Sequence, residues 1–110
     1  MNIEKKENYT LLTTESTVLS ETLKNLSVEL QKHAVENIIL HISDNLNIKA
    51  SDFSVFLNIA SDKKASETSF VVIVTSLNID ELPEEINVVP TLQEAEDILE
   101  MENIERELGF

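Results

Sequence analysis

Apolar residues along the chain change their spacing from segment to segment, and each spacing predicts an element. "NYTLLTT" (8–14) is rich in Thr and in aliphatic and aromatic residues, which predicts a strand. "MNIEKKE" before it predicts a first, weakly paired strand, with Lys5 and Lys6 suited to an open sheet edge. Leu19, Leu23, Leu26 and Leu30 are then spaced by four, three and four, one face of an amphipathic helix from about Val18 to His33 with Ser16 or Thr17 as its cap. "NIILHI" (37–42) is a nearly continuous β-branched run of the kind found in buried parallel strands.

The spacing becomes helical again at Phe53, Phe56, Leu57 and Ala60, which predicts a helix over about 52–64. "SFVVIV" (69–74) is the strongest strand signal. The acidic stretch 77–85 contains Pro83 and predicts a loop or a single turn, and "INVV" (86–89) a short strand. Thr91 followed by Glu94 has the spacing of a capping box at the head of a last helix, Leu92 to about Leu108. Leu92, Ala95, Ile98, Leu99, Met101 and Ile104 of that helix are expected to reach the core, and Gly109 to end it. The order β-β-α-β-α-β-β-α predicts an α/β domain over 1–110, with a mainly parallel sheet and right-handed crossovers.

Composition narrows the function. The 110 residues include no Cys, which excludes disulfides and thiolate metal sites. A single Gly excludes a P-loop, a G-x-G-x-x-G turn and a G-x-S-x-G nucleophile elbow. The two histidines, His33 and His41, form no metal-ligand pattern, so neither a metal nor another cofactor is expected. A ribonuclease Z activity would need an H-x-H-x-D-H dinuclear site, and the sequence has none. The carboxylates on the last helix lack the apolar cleft that acid–base pairs require. The expectation is a protein without catalytic residues.

Charge sharpens this. The net charge is −13, and residues 80–110 hold eleven acids and one base, −10 of that total. Such a surface repels nucleic-acid phosphates and anionic lipid. With no signal-peptide pattern at the start and no apolar run of about 20 residues, the expected location is the cytoplasm. At the end, Ile104, Leu108 and Phe110 either pack back on the sheet or offer an apolar stripe to a partner or to a second copy in a homodimer.

The element order, together with "NIILHISDNLNIKASDFSVFLNIASDKK", "SFVVIVTS" and "VVPTLQEAEDIL", resembles the STAS domain family of sulfate transporters and anti-sigma-factor antagonists. The likeness covers nearly the whole chain and marks it as a diverged member. That family carries a D-S-S-G-L signature at the start of the helix after the corresponding strand. Laid on it without gaps, "KASDF" puts Lys49 at the Asp, Ala50 at the first Ser, Ser51 at the second, phosphorylated Ser, Asp52 at the Gly and Phe53 at the Leu. The 77–85 stretch is also shorter than the helix usual there.

The resemblance implies a regulatory protein-binding module without catalysis, docking an anti-sigma-factor kinase around Lys49, Ser51, Asp52, Ser54 and Val55, with Ser51 as phosphorylation site. Ser51 has a second reading in physical terms, as an N-cap whose hydroxyl accepts a first-turn N–H. Asp52 would repel a phosphate placed there, whereas Lys49 would pair with it. An unregulated accessory or self-associating scaffold using the acidic last helix is the other functional reading.

Overall fold

In a computed structural model, which describes residues 1–109, the chain forms β1 (Asn2–Lys5), β2 (Thr10–Thr13), α1 (Leu19–Lys32), β3 (Ile38–His41), α2 (Leu57–Ala65), β4 (Phe70–Ile73), β5 (Asn87–Val89) and α3 (Leu92–Glu107). Two 3₁₀ helices interrupt this order, Ala50–Phe56 leading directly into α2 and Ile79–Glu81 before β5. The five strands lie in sequence order, β1 antiparallel to β2 and the rest parallel.

That order decides where the helices go. A parallel sheet growing steadily in one direction through right-handed crossovers places every crossover on the same face. Accordingly α1, the Ala50–Phe56 turn with α2, and the Ile79–Glu81 segment share one face. They cover Leu12, Ile38, Leu40, Phe70, Val72 and Val88 there. The alternate residues Leu11, Ile39, Val71 and Ile73 point the other way, and only α3, which follows the last strand, can cover them, through Ala95, Ile98 and Leu99. β4 lies between both layers and is buried throughout. The Cα radius of gyration of 13.1 Å fits one compact domain of this length.

Several local expectations change. β1 is paired with β2 along its whole length, from Asn2↔Thr13 to Lys5↔Thr10, although its side chains are exposed. Neither Ser16 nor Thr17 is the N-cap of α1; Val18 is, and Ser16 Oγ instead accepts the Val18 N–H at 3.0 Å, one step outside the helix. Thr91 caps α3 as its spacing suggested, accepting the Glu94 N–H at 3.2 Å. The return bond of the capping box is altered, because Glu94 accepts the Thr91 hydroxyl at 3.1 Å. Gly109 follows α3 with φ +82°, the left-handed conformation that closes a helix.

Leu92, Met101 and Ile104 do not reach the core. A straight helix on one sheet face buries a single stripe, which here passes through Ala95 and Leu99, and those three residues fall outside it. Ile104 and Leu108 likewise do not pack back on the sheet, and Phe110 lies outside the described residues.

Candidate functional site

The corner between β3 and α2 contains the residues singled out by the sequence. The chain leaves β3, buries Leu46 and Ile48, and turns at Lys49 into the 3₁₀ helix. Phe53 and Phe56 anchor that helix. Both rings are buried and meet edge to face with centroids 5.2 Å apart. The opposite side of the same turn is free, so Lys49, Ser51, Ser54 and Val55 are exposed together.

Ser51 is not the cap. Lys49 occupies the N-cap position, and Ser51 already lies inside the first turn. Among the described residues the Ser51 hydroxyl has no hydrogen-bond partner. The turn is closed by Asp52, whose carboxylate accepts the Lys49 backbone N–H at 2.9 Å, while the Asp52 N–H donates to the Lys49 carbonyl at 3.0 Å. A lysine ammonium has no acceptor, so only half of a capping box is possible here. The Lys49-x-x-Asp52 spacing carried this signal in the sequence, concealed because the N-cap residue is not one of the usual hydroxyl or amide types.

Val55 leads from this corner into a groove of about 520 Å³ between α1 and α2. Leu23, Leu26 and Leu30 form its α1 wall and Val55 and Ile59 the other. The leucine spacing that predicted α1 therefore serves two purposes: Leu26 is sealed in the core, while Leu23 and Leu30 remain partly open.

The end of the groove is fixed by a side chain the sequence did not mark. Lys63, only 5% exposed, donates from Nζ to the carbonyls of Glu36 at 2.7 Å, His33 at 3.1 Å and Ala34 at 3.4 Å. These carbonyls follow the C-terminus of α1, where unpaired oxygens accumulate and a cation is favoured. Burial pulls the Lys63 ammonium below the usual lysine range, and the nearby Glu36 carboxylate partly opposes this.

Glu36 in turn accepts from His33 Nδ1 at 2.6 Å and from the Thr10 hydroxyl at 2.7 Å, with Lys5 at 3.3 Å. The His33 bond, then the Thr10 bond, hold its carboxyl down at about 2. A lysine near the end of α2 has an ordinary sequence context, and only the tertiary fold brings it against α1.

α3 is attached differently. The Tyr9 hydroxyl donates to Glu96 at 2.6 Å, and burial, followed by this bond, pushes the Tyr9 phenol up to about 12. Buried Ser69 donates to Glu102, Asn87 donates to the other oxygen of Glu102 at 3.0 Å, and Arg106 reaches Ser69 at 3.0 Å.

Among the described residues no group of three or more His, Asp or Glu side chains is arranged to hold a metal ion. No described helix is long and apolar enough to cross a membrane. His33 is committed to Glu36, and His41 sits apart on β3. No family model matches the chain, and no curated protein matches it.

Proposed function

We propose that the protein is a non-catalytic binding module that docks a helical segment of a partner protein in the groove between α1 and α2, with Ser51 as a phosphorylation site at its entrance. The observation that carries this reading is the open apolar groove continuous with an exposed turn through Val55. Charge supports the choice of occupant. Residues 18–66 hold six acids and five bases, a net of −1, so this face accepts an apolar helix of mixed charge that the −10 segment would discriminate by sign.

A phosphate on Ser51 would add about −1.5 to −2 charge next to Asp52, whose carboxylate is already committed to the turn. Modification would then oppose docking by repulsion and hydration, leaving the fold intact. The partner suggested by the resemblance to STAS anti-sigma-factor antagonists is an anti-sigma-factor kinase, contacting Lys49, Ser51, Ser54 and Val55. Asp52, the fifth residue of this surface, also shapes the turn that presents the others.

The test uses wild type, Val55→Glu and Ser51→Asp as parallel baits in a lysate of the source organism, read by mass spectrometry, with Ser51 of the native protein checked for phosphate. A regulatory kinase captured by wild type and lost with both variants is the expected result. Equal capture by Val55→Glu eliminates the groove as the docking site, and equal capture by Ser51→Asp eliminates the switch.

A further inference from the structure

We infer that the outer face of α3 is a second, independent docking surface, and that its occupant is a basic amphipathic helix. At about 100° per residue, Met101, Ile104 and Leu108 fall together on the side of α3 opposite Ala95 and Leu99, which face the sheet. They are 56%, 49% and 67% exposed, a continuous apolar strip along the last two turns. The same geometry places Glu94 and Glu105 along one flank, Glu100 and Glu107 along the other, and Asp97 in line with the strip one turn earlier. All five acids are exposed, and none forms an ion pair among the described residues.

The lone base of the helix does not neutralise them. Arg106 points toward the sheet side, donating to Ser69 and Asn103. The arrangement therefore selects its occupant by charge. Two copies meeting through this strip would bring five and five carboxylates together, ten in all, with no cation between them, and like charges at an interface oppose association strongly. A helix with apolar residues at i, i+3 and i+7 bordered by Lys or Arg meets both requirements, burying the strip and pairing with the flanking carboxylates. The apolar strip gives position, and the carboxylates give sign selectivity and salt dependence.

The experiment measures fluorescence anisotropy of a labelled synthetic peptide with Leu and Arg at helical spacing, titrated with the full chain. A scrambled peptide of the same composition is the control. Wild type is expected to bind the patterned peptide about tenfold more tightly than the scrambled one, because the strip adds apolar burial to charge attraction. Met101→Ser/Ile104→Ser/Leu108→Ser, which leaves every charge in place, is expected to abolish that preference. Glu100→Gln/Glu105→Gln should weaken binding and flatten its dependence on salt.

These side chains are exposed, so the variants should retain the wild-type circular dichroism spectrum. Equal binding of both peptides, or of the triple-serine variant and wild type, reduces the effect to general acidity and overturns the inference. Sedimentation showing wild type as a dimer that the triple-serine change dissolves would overturn it in favour of a second copy.

Discussion

The two faces of the sheet are covered by helices held in opposite ways. On the face of α1 and α2 the attachment is apolar and deep: Phe53, Phe56, Leu26, Leu12 and Val72 form one continuous core. On the other face α3 contributes chiefly Ala95, Ile98 and Leu99, and its position is completed by polar bonds from Tyr9, Ser69 and Asn87. Charge divides along the same line, with a net of −1 over 18–66 and, on α3 (92–107), seven acids against one base, a net of −6. A helix that buries little apolar surface can carry many carboxylates, because few of its positions are desolvated. A face built on large apolar side chains leaves an apolar groove where its two helices fail to meet. Each mode of attachment leaves the surface that suits a different partner.

The largest expected effect tests the difference in depth. Phe53→Ala removes a fully buried ring in contact with Phe56 and should cost about 3–5 kcal/mol, read from chemical denaturation. Leu99→Ala, on the thinner layer, should fall near the lower end for its type, about 2 kcal/mol. Equal losses would mean that α3 is as deeply anchored as the opposite layer, and the contrast would fail.

Next in size is Lys63→Met. It keeps the packing of the side-chain stem but leaves the carbonyls of His33, Ala34 and Glu36 without their buried donor, at a cost of roughly 2–3 kcal/mol. Hydrogen exchange should rise first around the end of α1, because that is where the orphaned carbonyls lie. Unchanged stability would show that water replaces the ammonium there, and that the groove is not fixed by it.

The corner offers a smaller, paired test. Asp52→Ala should cost about 1 kcal/mol by opening the turn at Lys49, whereas Ser51→Ala, at an exposed position whose hydroxyl has no hydrogen-bond partner among the described residues, should stay within about 0.5 kcal/mol. Thermal melts of the two variants side by side check the assignment of roles, and the reverse order would restore Ser51 as the cap.

Most of the frame was legible in the sequence, because strand and helix periods here are clean. Leu19–Leu30 and Phe53–Ala60 follow the helical spacing, and the runs at 38–40 and 70–73 are apolar, rich in β-branched residues and buried. What escaped depends on neighbours distant in the chain. The role of Lys63 exists only because α2 crosses the end of α1, 27 to 30 residues away in sequence. Met101 and Ile104 have the composition of core residues, but the narrow stripe that α3 buries is set by the sheet beneath it. At the corner, a Ser next to an Asp points the cap assignment to the wrong residue, since the 3₁₀ helix starts two residues earlier than the helical spacing indicates.

The last test bears on the thinner layer alone. Tyr9 is the only tyrosine and the chain has no Trp, so the rise of phenolate absorbance with pH reports this one group. Its midpoint should lie near 12 rather than 10, because burial and the bond to Glu96 both favour the neutral phenol. A phenol raised in the folded state contributes stability that is complete below pH 10 and is lost as pH climbs toward 12, since the unfolded chain releases its proton first. Glu96→Gln should move the midpoint down without returning it to 10, because burial is the larger cause and remains. A wild-type midpoint near 10, with circular dichroism still native, would mean that water reaches the phenol beneath α3. The polar attachment of that helix would then be looser than its hydrogen bonds imply, and the difference between the two faces would extend from composition to dynamics.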